Sequence, residues 1–216
     1  MNKTNIEWCD YTFNPVTGCR NACPYCYARK MANRLKGRYG YPADDPFRPT
    51  FHANKLRDPD NLKTPSRIFV CSMSDLFGEW IPRDWIVQVL DTVEFNPLHT
   101  FIFLTKNPKR YSEFDFPKNA WLGYSTTGPL YHEWDSKHND NIKFISIEPM
   151  MGEITNTAYL HDTKWIILGA ETGNRKGKVE FKEDWKRQAL EICYQNNIPL
   201  FVKNNAGGGW QEYPKI

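Results

Sequence analysis

Short β-rich runs alternate with amphipathic helical stretches along this chain, and that alternation limits its fold more than any other feature. Strands are expected at Arg67–Cys71, Thr100–Leu104, Ala120–Tyr124, Ile142–Ile147, Trp165–Leu168 and Leu200–Lys203, with an earlier one near Tyr11–Phe13. Most are brief, apolar or aromatic, and bounded by polar or turn residues. Between them, Ile86, Val89, Leu90 and Val93 recur at helical spacing before Pro97, and Trp185, Ala189, Ile192 and Cys193 do so before Asn196-Asn197. Tyr27, Met31 and Leu35 line one face of a further helix, which Gly37 ends. Strands alternating with helices predict βα units and a parallel sheet, an α/β fold. About seven strands are too few for a closed eight-stranded barrel, and an open, doubly wound sheet satisfies the pattern. No repeat, low-complexity tract or linker divides the chain, so a single domain over 1–216 is expected. The segment from Tyr39 to Asn61, with Pro42, Pro46, Pro49 and Pro59, reads as a long loop or a lid.

Composition excludes several classes. The hydrophobic fraction of 40% and charged fraction of 25% are those of an ordinary globular protein, and the mild net charge of +3 does not by itself predict nucleic-acid binding. No apolar run reaches transmembrane length, and the first residues lack the apolar core of a signal peptide, so a cytoplasmic protein with no membrane association is expected. In a reducing cytoplasm its six cysteines read as ligands and buried thiols, not disulfides.

Three of those cysteines carry the chemistry. Cys19, Cys23 and Cys26 form a C-x3-C-x2-C run in the segment Gly18-Cys19-Arg20-Asn21-Ala22-Cys23-Pro24-Tyr25-Cys26-Tyr27. Thiolates are soft ligands for iron–sulfur clusters or zinc. Three so closely spaced can converge on one metal centre and leave a cubane cluster with an open iron. The competing arrangement is a structural zinc site with Cys9 as fourth thiolate. Against it, structural zinc sites usually pair two short knuckles across a longer gap.

The spacing, with an aromatic residue before the last cysteine, resembles the signature of the radical S-adenosylmethionine (radical SAM) superfamily. Asn5-Ile6-Glu7-Trp8, Asn14 to Cys19, Arg67 to Val70 with Ser72 to Phe77, Thr105-Lys106, Glu148-Pro149 and Gly169-Ala170-Glu171 look like a phage- and prophage-associated, three-Cys-motif branch of unassigned function. The first two cysteines lie closer together here than in many members of that branch, at the spacing usual across the superfamily. The resemblance implies a partial (β/α)6-type TIM barrel with parallel strands. It also implies a [4Fe–4S] cluster held by Cys19, Cys23 and Cys26, with S-adenosylmethionine on the fourth iron. One-electron cleavage would then give a 5′-deoxyadenosyl radical that abstracts a substrate hydrogen. A reduced flavodoxin or ferredoxin would supply the electron. Tyr25 would lie near the adenine and the cluster.

Polar residues at strand ends fit such a cofactor. Strand-end groups include Ser72, Ser74 and Asp75; Thr105 and Lys106; Ser125, Thr126 and Thr127; Ser146 and Glu148; Glu171 and Thr172; and Lys203, Asn204 and Asn205. Together they would form a polar ring at one mouth of the sheet. Alternation along a strand puts Ser72 and Ser74 on the face of Ile68 and Val70, and Ser146 and Glu148 on the face of Phe144. Cys71 falls on the opposite face as a buried thiol, Cys193 packs in a helix face, and Tyr27 packs in the core. On the resemblance, Ser72 to Asp75 supply acceptors for the cofactor's ammonium, Lys106 or Ser125 meets its carboxylate, and Glu148 its ribose. Any one of them is equally explained as a strand-end cap or a surface ion pair. Gly207-Gly208-Gly209 allows either a close backbone approach to a ligand or a flexible tail, and the five histidines show no metal-ligand spacing.

The substrate is not written in the sequence. Phage association points to a nucleotide or DNA base, modified or repaired, by association only. Arg29, Lys30, Arg34, Lys36 and Arg38 are compatible with an anionic planar substrate, although the solvated face of a helix is the simpler reading. Two other functions are open: a zinc- or cluster-bearing module that binds nucleic acid or a partner without catalysis, and an enzyme like 7-carboxy-7-deazaguanine synthase.

Overall fold

Each apolar run forms a strand in the computed structural model, which describes residues 1–134 and 136–215. Asp135 and Ile216 lie outside the described residues. The structure is mixed α/β with a mostly parallel eight-stranded sheet among the described residues. The chain divides into two units, Met1–Trp121 and Leu122–Ile216.

In the first unit, β1 (Asn2–Lys3) runs antiparallel to β2 (Tyr11–Phe13). The chain then forms β3 (Val16–Thr17), the helix α1 (Tyr27–Arg34) and β4 (Thr50–Phe51), which closes an antiparallel pair with β3. β5 (Arg67–Val70) lies parallel to β2 with Ile68 opposite Tyr11 and Val70 opposite Phe13. After α2 (Arg83–Glu94), β6 (Thr100–Thr105) adds parallel to β5. The apolar stripe of α2, Ile86, Val89, Leu90 and Val93, is buried as its spacing predicts. Phe77 gathers Phe103, Tyr111, Phe114 and Phe116 around it at ring-centroid distances of 4.7–5.9 Å.

The strand β7 (Ala120–Thr126) crosses into the second unit. There β8 (Ile142–Ile147) pairs in parallel with β9 (Trp165–Leu168). After α3 (Glu183–Gln195), β10 (Leu200–Val202) pairs in parallel with β9. Trp165 is fully buried and packs on Phe144, Phe201 and Tyr213. Trp185, Ala189 and Cys193 are the buried face of α3.

Three expectations are corrected. β5 stops at Val70, because Cys71 turns into the left-handed region at φ 58°. Strand alternation therefore cannot be carried on to Ser72 and Ser74. Cys71 is nonetheless buried, as is Cys193. The buried face of α1 is Ala28 and Ala32, whereas Tyr27 and Met31 are 50% and 41% exposed. Two small side chains let the helix lie close to Tyr41, Phe47 and Met73, and Leu35 packs at the margin of that cluster. The segment from Tyr39 to Asn61 is not all loop, since it contains β4 and two short 3-10 turns, Ala53–Lys55 and Pro59–Asn61. Among the described residues no helix is long and apolar enough to cross a membrane.

Candidate metal centre

The loop that carries the three cysteines leaves the carboxyl end of β2 and enters α1. Its geometry is set by contacts with the segments that leave the carboxyl ends of β5 and β6. Gly18 pairs with Ser74 in an isolated parallel bridge: its N–H donates to the Met73 carbonyl at 2.9 Å, and the Ser74 hydroxyl donates to its carbonyl at 2.6 Å. Gly18 has φ 87°, and a Cβ there would lie 2.2 Å from the Arg48 carbonyl oxygen, so only glycine fits. The Asn14 side-chain oxygen accepts from the Ser72 hydroxyl at 3.2 Å and the Met73 N–H at 3.0 Å. The Tyr27 hydroxyl donates to the Ser72 carbonyl at 2.6 Å.

Asp75 is the centre of this arrangement. It is buried, and one carboxylate oxygen accepts from the Thr105 hydroxyl at 2.6 Å and the Phe77 N–H at 3.3 Å. The other accepts from the Asn21 side-chain amide at 2.9 Å and the Lys106 N–H at 3.0 Å. Asn21 lies between Cys19 and Cys23, so this carboxylate ties the cysteine loop to the end of β6. The Lys106 ammonium stands 5.7 Å from the centroid of the Tyr25 ring, over its face. The structure thus brings Cys19, Cys23, Cys26, Tyr25, Ser72, Ser74, Asp75 and Lys106 into one neighbourhood.

All three thiols are partly exposed. Each is engaged with nearby backbone: the Cys19 sulfur accepts from the Asn21 N–H at 3.4 Å, the Cys23 thiol meets the Asn21 carbonyl at 4.0 Å, and the Cys26 sulfur caps α1 by accepting from the Arg29 N–H at 3.4 Å. Accordingly, no group of three or more His, Cys, Asp or Glu among the described residues is drawn together as a set of metal ligands. The donor chemistry nevertheless fits a soft metal centre. Burial pushes the Cys19 thiol up to about 11, and the neighbouring Asp75, Cys23 and Cys26 push the same way. Three thiols on one loop and the Asp75 carboxyl beside it can all carry negative charge, and a bound cation would relieve that crowding and release the thiol protons. Cys9, the fourth ligand of the zinc alternative, is buried with its thiol toward the Ile6 carbonyl at 3.9 Å.

In the second unit a polar cluster stands at strand ends. Glu148, just past β8, pairs with the Lys203 ammonium at 2.7 Å and accepts from the Ser146 hydroxyl at 3.1 Å. The Ser125 hydroxyl donates to the Glu148 carbonyl at 3.4 Å. A Cβ at Gly169 would lie 2.5 Å from the Glu148 carboxylate, so the bare backbone of Gly169 makes room for it. Glu171 is buried and held by Arg175 at 2.6 Å, and that guanidinium keeps its carboxyl below the usual range.

Over residues 3–215 the sequence matches a family described only as a protein of unknown function, DUF5131. The chain belongs to that family. No curated protein and no solved structure matches it.

Sequence reasoning missed Asn14, Asn21 and Thr105 as anchors of the loop. Each carried a partial signal: Asn21 lies inside the cysteine run, Thr105 among the strand-end polar groups, and Asn14 in a motif, but none was read as an anchor. Asn14 and Thr105 act on partners 58, 59 and 30 positions away, which no local pattern exposes.

Proposed function

We propose that this chain is a radical SAM enzyme in which Cys19, Cys23 and Cys26 hold a [4Fe–4S] cluster. One observation carries the reading. The three-thiol loop stands at the carboxyl ends of the parallel strands β2, β5 and β6, the end at which α/β sheets and barrels bind their ligands. The parallel order also supports the finer fold, a partial (β/α)6-type barrel. When bound, the cluster would supply the electron that cleaves the sulfonium of S-adenosylmethionine to a 5′-deoxyadenosyl radical.

The chain's own part is to bind, orient and exclude water. Asp75, through Asn21, holds the cysteine loop against the end of β6. Lys106 lies over Tyr25 beside that loop, where its charge suits the cofactor's carboxylate and the ring suits its adenine. For Ser125 and Glu148 the proposed roles toward carboxylate and ribose rest on the resemblance. The reading includes a cytoplasmic setting, a flavodoxin or ferredoxin as electron donor, and a nucleotide or DNA base as substrate.

The test is anaerobic reconstitution with iron and sulfide, followed by S-adenosylmethionine and dithionite. A brown protein whose visible absorption bleaches on reduction, and which forms 5′-deoxyadenosine, is expected. Alanine at Cys19, Cys23 or Cys26 should abolish the colour, and Cys9→Ala should leave it. A colourless protein that retains zinc, or loss of metal in Cys9→Ala, would overturn the reading in favour of a non-catalytic module.

A further inference from the structure

The helix that follows the cysteine loop is charged in a way the rest of the chain is not. From Tyr11 to Ala43 there is no Asp or Glu, yet there are six basic residues, Arg20, Arg29, Lys30, Arg34, Lys36 and Arg38. The whole chain is only +3, so the remaining residues are net negative. Arg29 is accounted for: its guanidinium stacks 4.8 Å over Phe47 and reaches the Cys19 carbonyl. The other five are exposed, and none has an ion-pair partner among the described residues. Lys30 and Arg34 are four apart on α1, a like-charge spacing that destabilises a helix. The negative end of the helix dipole offsets this for Arg34 alone.

Along the chain, exposed apolar side chains are interleaved with these cations. Tyr39 is 78% exposed, Met31 41% and Tyr27 50%. The Tyr27 ring is fixed by the bond from its hydroxyl to the Ser72 carbonyl, which leaves a rigid platform beside the cysteine loop. Cations interleaved with exposed aromatic rings suit a polymer that presents phosphates and planar bases together. An acidic protein would satisfy the charges but leave the rings unused.

We propose that this face binds single-stranded DNA, with phosphates against Arg20, Lys30, Arg34, Lys36 and Arg38 and a base stacked on Tyr39. A single strand is the form required, because a base presented to the cysteine loop must be out of its stack. The choice of DNA rests on the proposed function, whereas the binding does not depend on cofactor chemistry.

The experiment is fluorescence anisotropy of a labelled oligonucleotide of about 15 nucleotides with the full anaerobic chain, at several salt concentrations around ~0.15 M. The triple variant Arg34→Gln/Lys36→Gln/Arg38→Gln should weaken binding at least ~10-fold and flatten the log–log salt slope by about 2, since each phosphate contact on a single strand contributes about 0.7. Tyr39→Ala should weaken binding several-fold and leave the slope unchanged. A control triple at exposed lysines elsewhere, Lys63→Gln/Lys109→Gln/Lys118→Gln, should bind like the parent. The proposal is overturned by no binding, by equal loss in the control triple, by RNA binding at least ~10-fold more tightly than DNA, or by an acidic flavodoxin or polyglutamate displacing the strand at equal concentration. Circular dichroism of each variant excludes unfolding as the cause. Strand binding without 5′-deoxyadenosine formation would sink the enzymatic reading and leave this surface intact; the converse result would do the reverse.

Discussion

Replacing Asp75 with alanine is the sharpest probe of how the cysteine loop is held. Its carboxylate accepts four hydrogen bonds, from Thr105, Phe77, Asn21 and Lys106. Asn21 is exposed and Lys106 half-buried, so their N–H groups regain water when the acceptor goes. Thr105 and Phe77 are buried, at 2% and 0% exposure, so their donors stay desolvated. An orphaned buried donor costs ~1–3 kcal/mol, so two donors put the loss near 3 kcal/mol once a water fills part of the gap. With a urea slope of about 2 kcal/mol/M, the midpoint should fall by about 1.5 M. Asp75→Asn keeps one acceptor oxygen for Thr105 and Phe77 but turns an amino group toward Asn21 and Lys106, and should fall by about half as much. Asn21→Ala removes only the exposed arm and should lose no more than ~1 kcal/mol. Urea denaturation followed by tryptophan fluorescence reads all three. If Asp75→Ala melts within ~0.3 M of the parent, the carboxylate does not anchor the loop.

Thiol titration at pH 8 with a disulfide reagent should find three fast groups, Cys19, Cys23 and Cys26, and three that react only after denaturation, Cys9, Cys71 and Cys193. Burial pushes Cys71 and Cys193 up to about 12, and Cys19 up to about 11. Cys19 should therefore lag the other two fast thiols. Its rate should rise about tenfold per pH unit below its pKa, because the thiolate is the nucleophile and gains population as the proton is lost; a fourth fast thiol would contradict the burial. In the second unit, Gly169→Ala should push the Glu148 carboxylate off Lys203 and lower stability by ~1–3 kcal/mol. Because Glu148→Ala removes the same clash, the double variant should be less than additive in urea denaturation, and simple additivity would refute the coupling.

The sequence made the sheet legible because strand apolarity is a local property. β8 and β9 begin and end where their composition says. It misjudged β5 by one residue because the left-handed turn at Cys71 carries no compositional mark, and that single φ cancelled the alternation argument for Ser72 and Ser74. The α1 face was misread for a different reason. Hydrophobic spacing favours Tyr27 and Met31, but close approach of the helix rewards the smaller Ala28 and Ala32. The cysteine run was plain from spacing, whereas its anchors became visible only when segments distant in sequence met.

Those anchors also separate the roles of the polar residues after β5. A carboxylate offers about four lone-pair sites, and Asp75 has four donors on them already. Nothing remains for a ligand's ammonium without breaking a bond that fixes the loop. The hydroxyls of Ser72 and Ser74 act as donors, to Asn14 and Gly18, and each keeps acceptor lone pairs. On the proposed reading the ammonium of S-adenosylmethionine therefore belongs to the serines, and Asp75 serves by holding the loop through Asn21. Ser74→Ala should then weaken S-adenosylmethionine binding in a titration while the cluster's absorption is retained, and Asp75→Ala should lose both together. Unchanged binding in the double variant Ser72→Ala/Ser74→Ala would return the acceptor role to Asp75 and break the division of labour drawn from the hydrogen bonds.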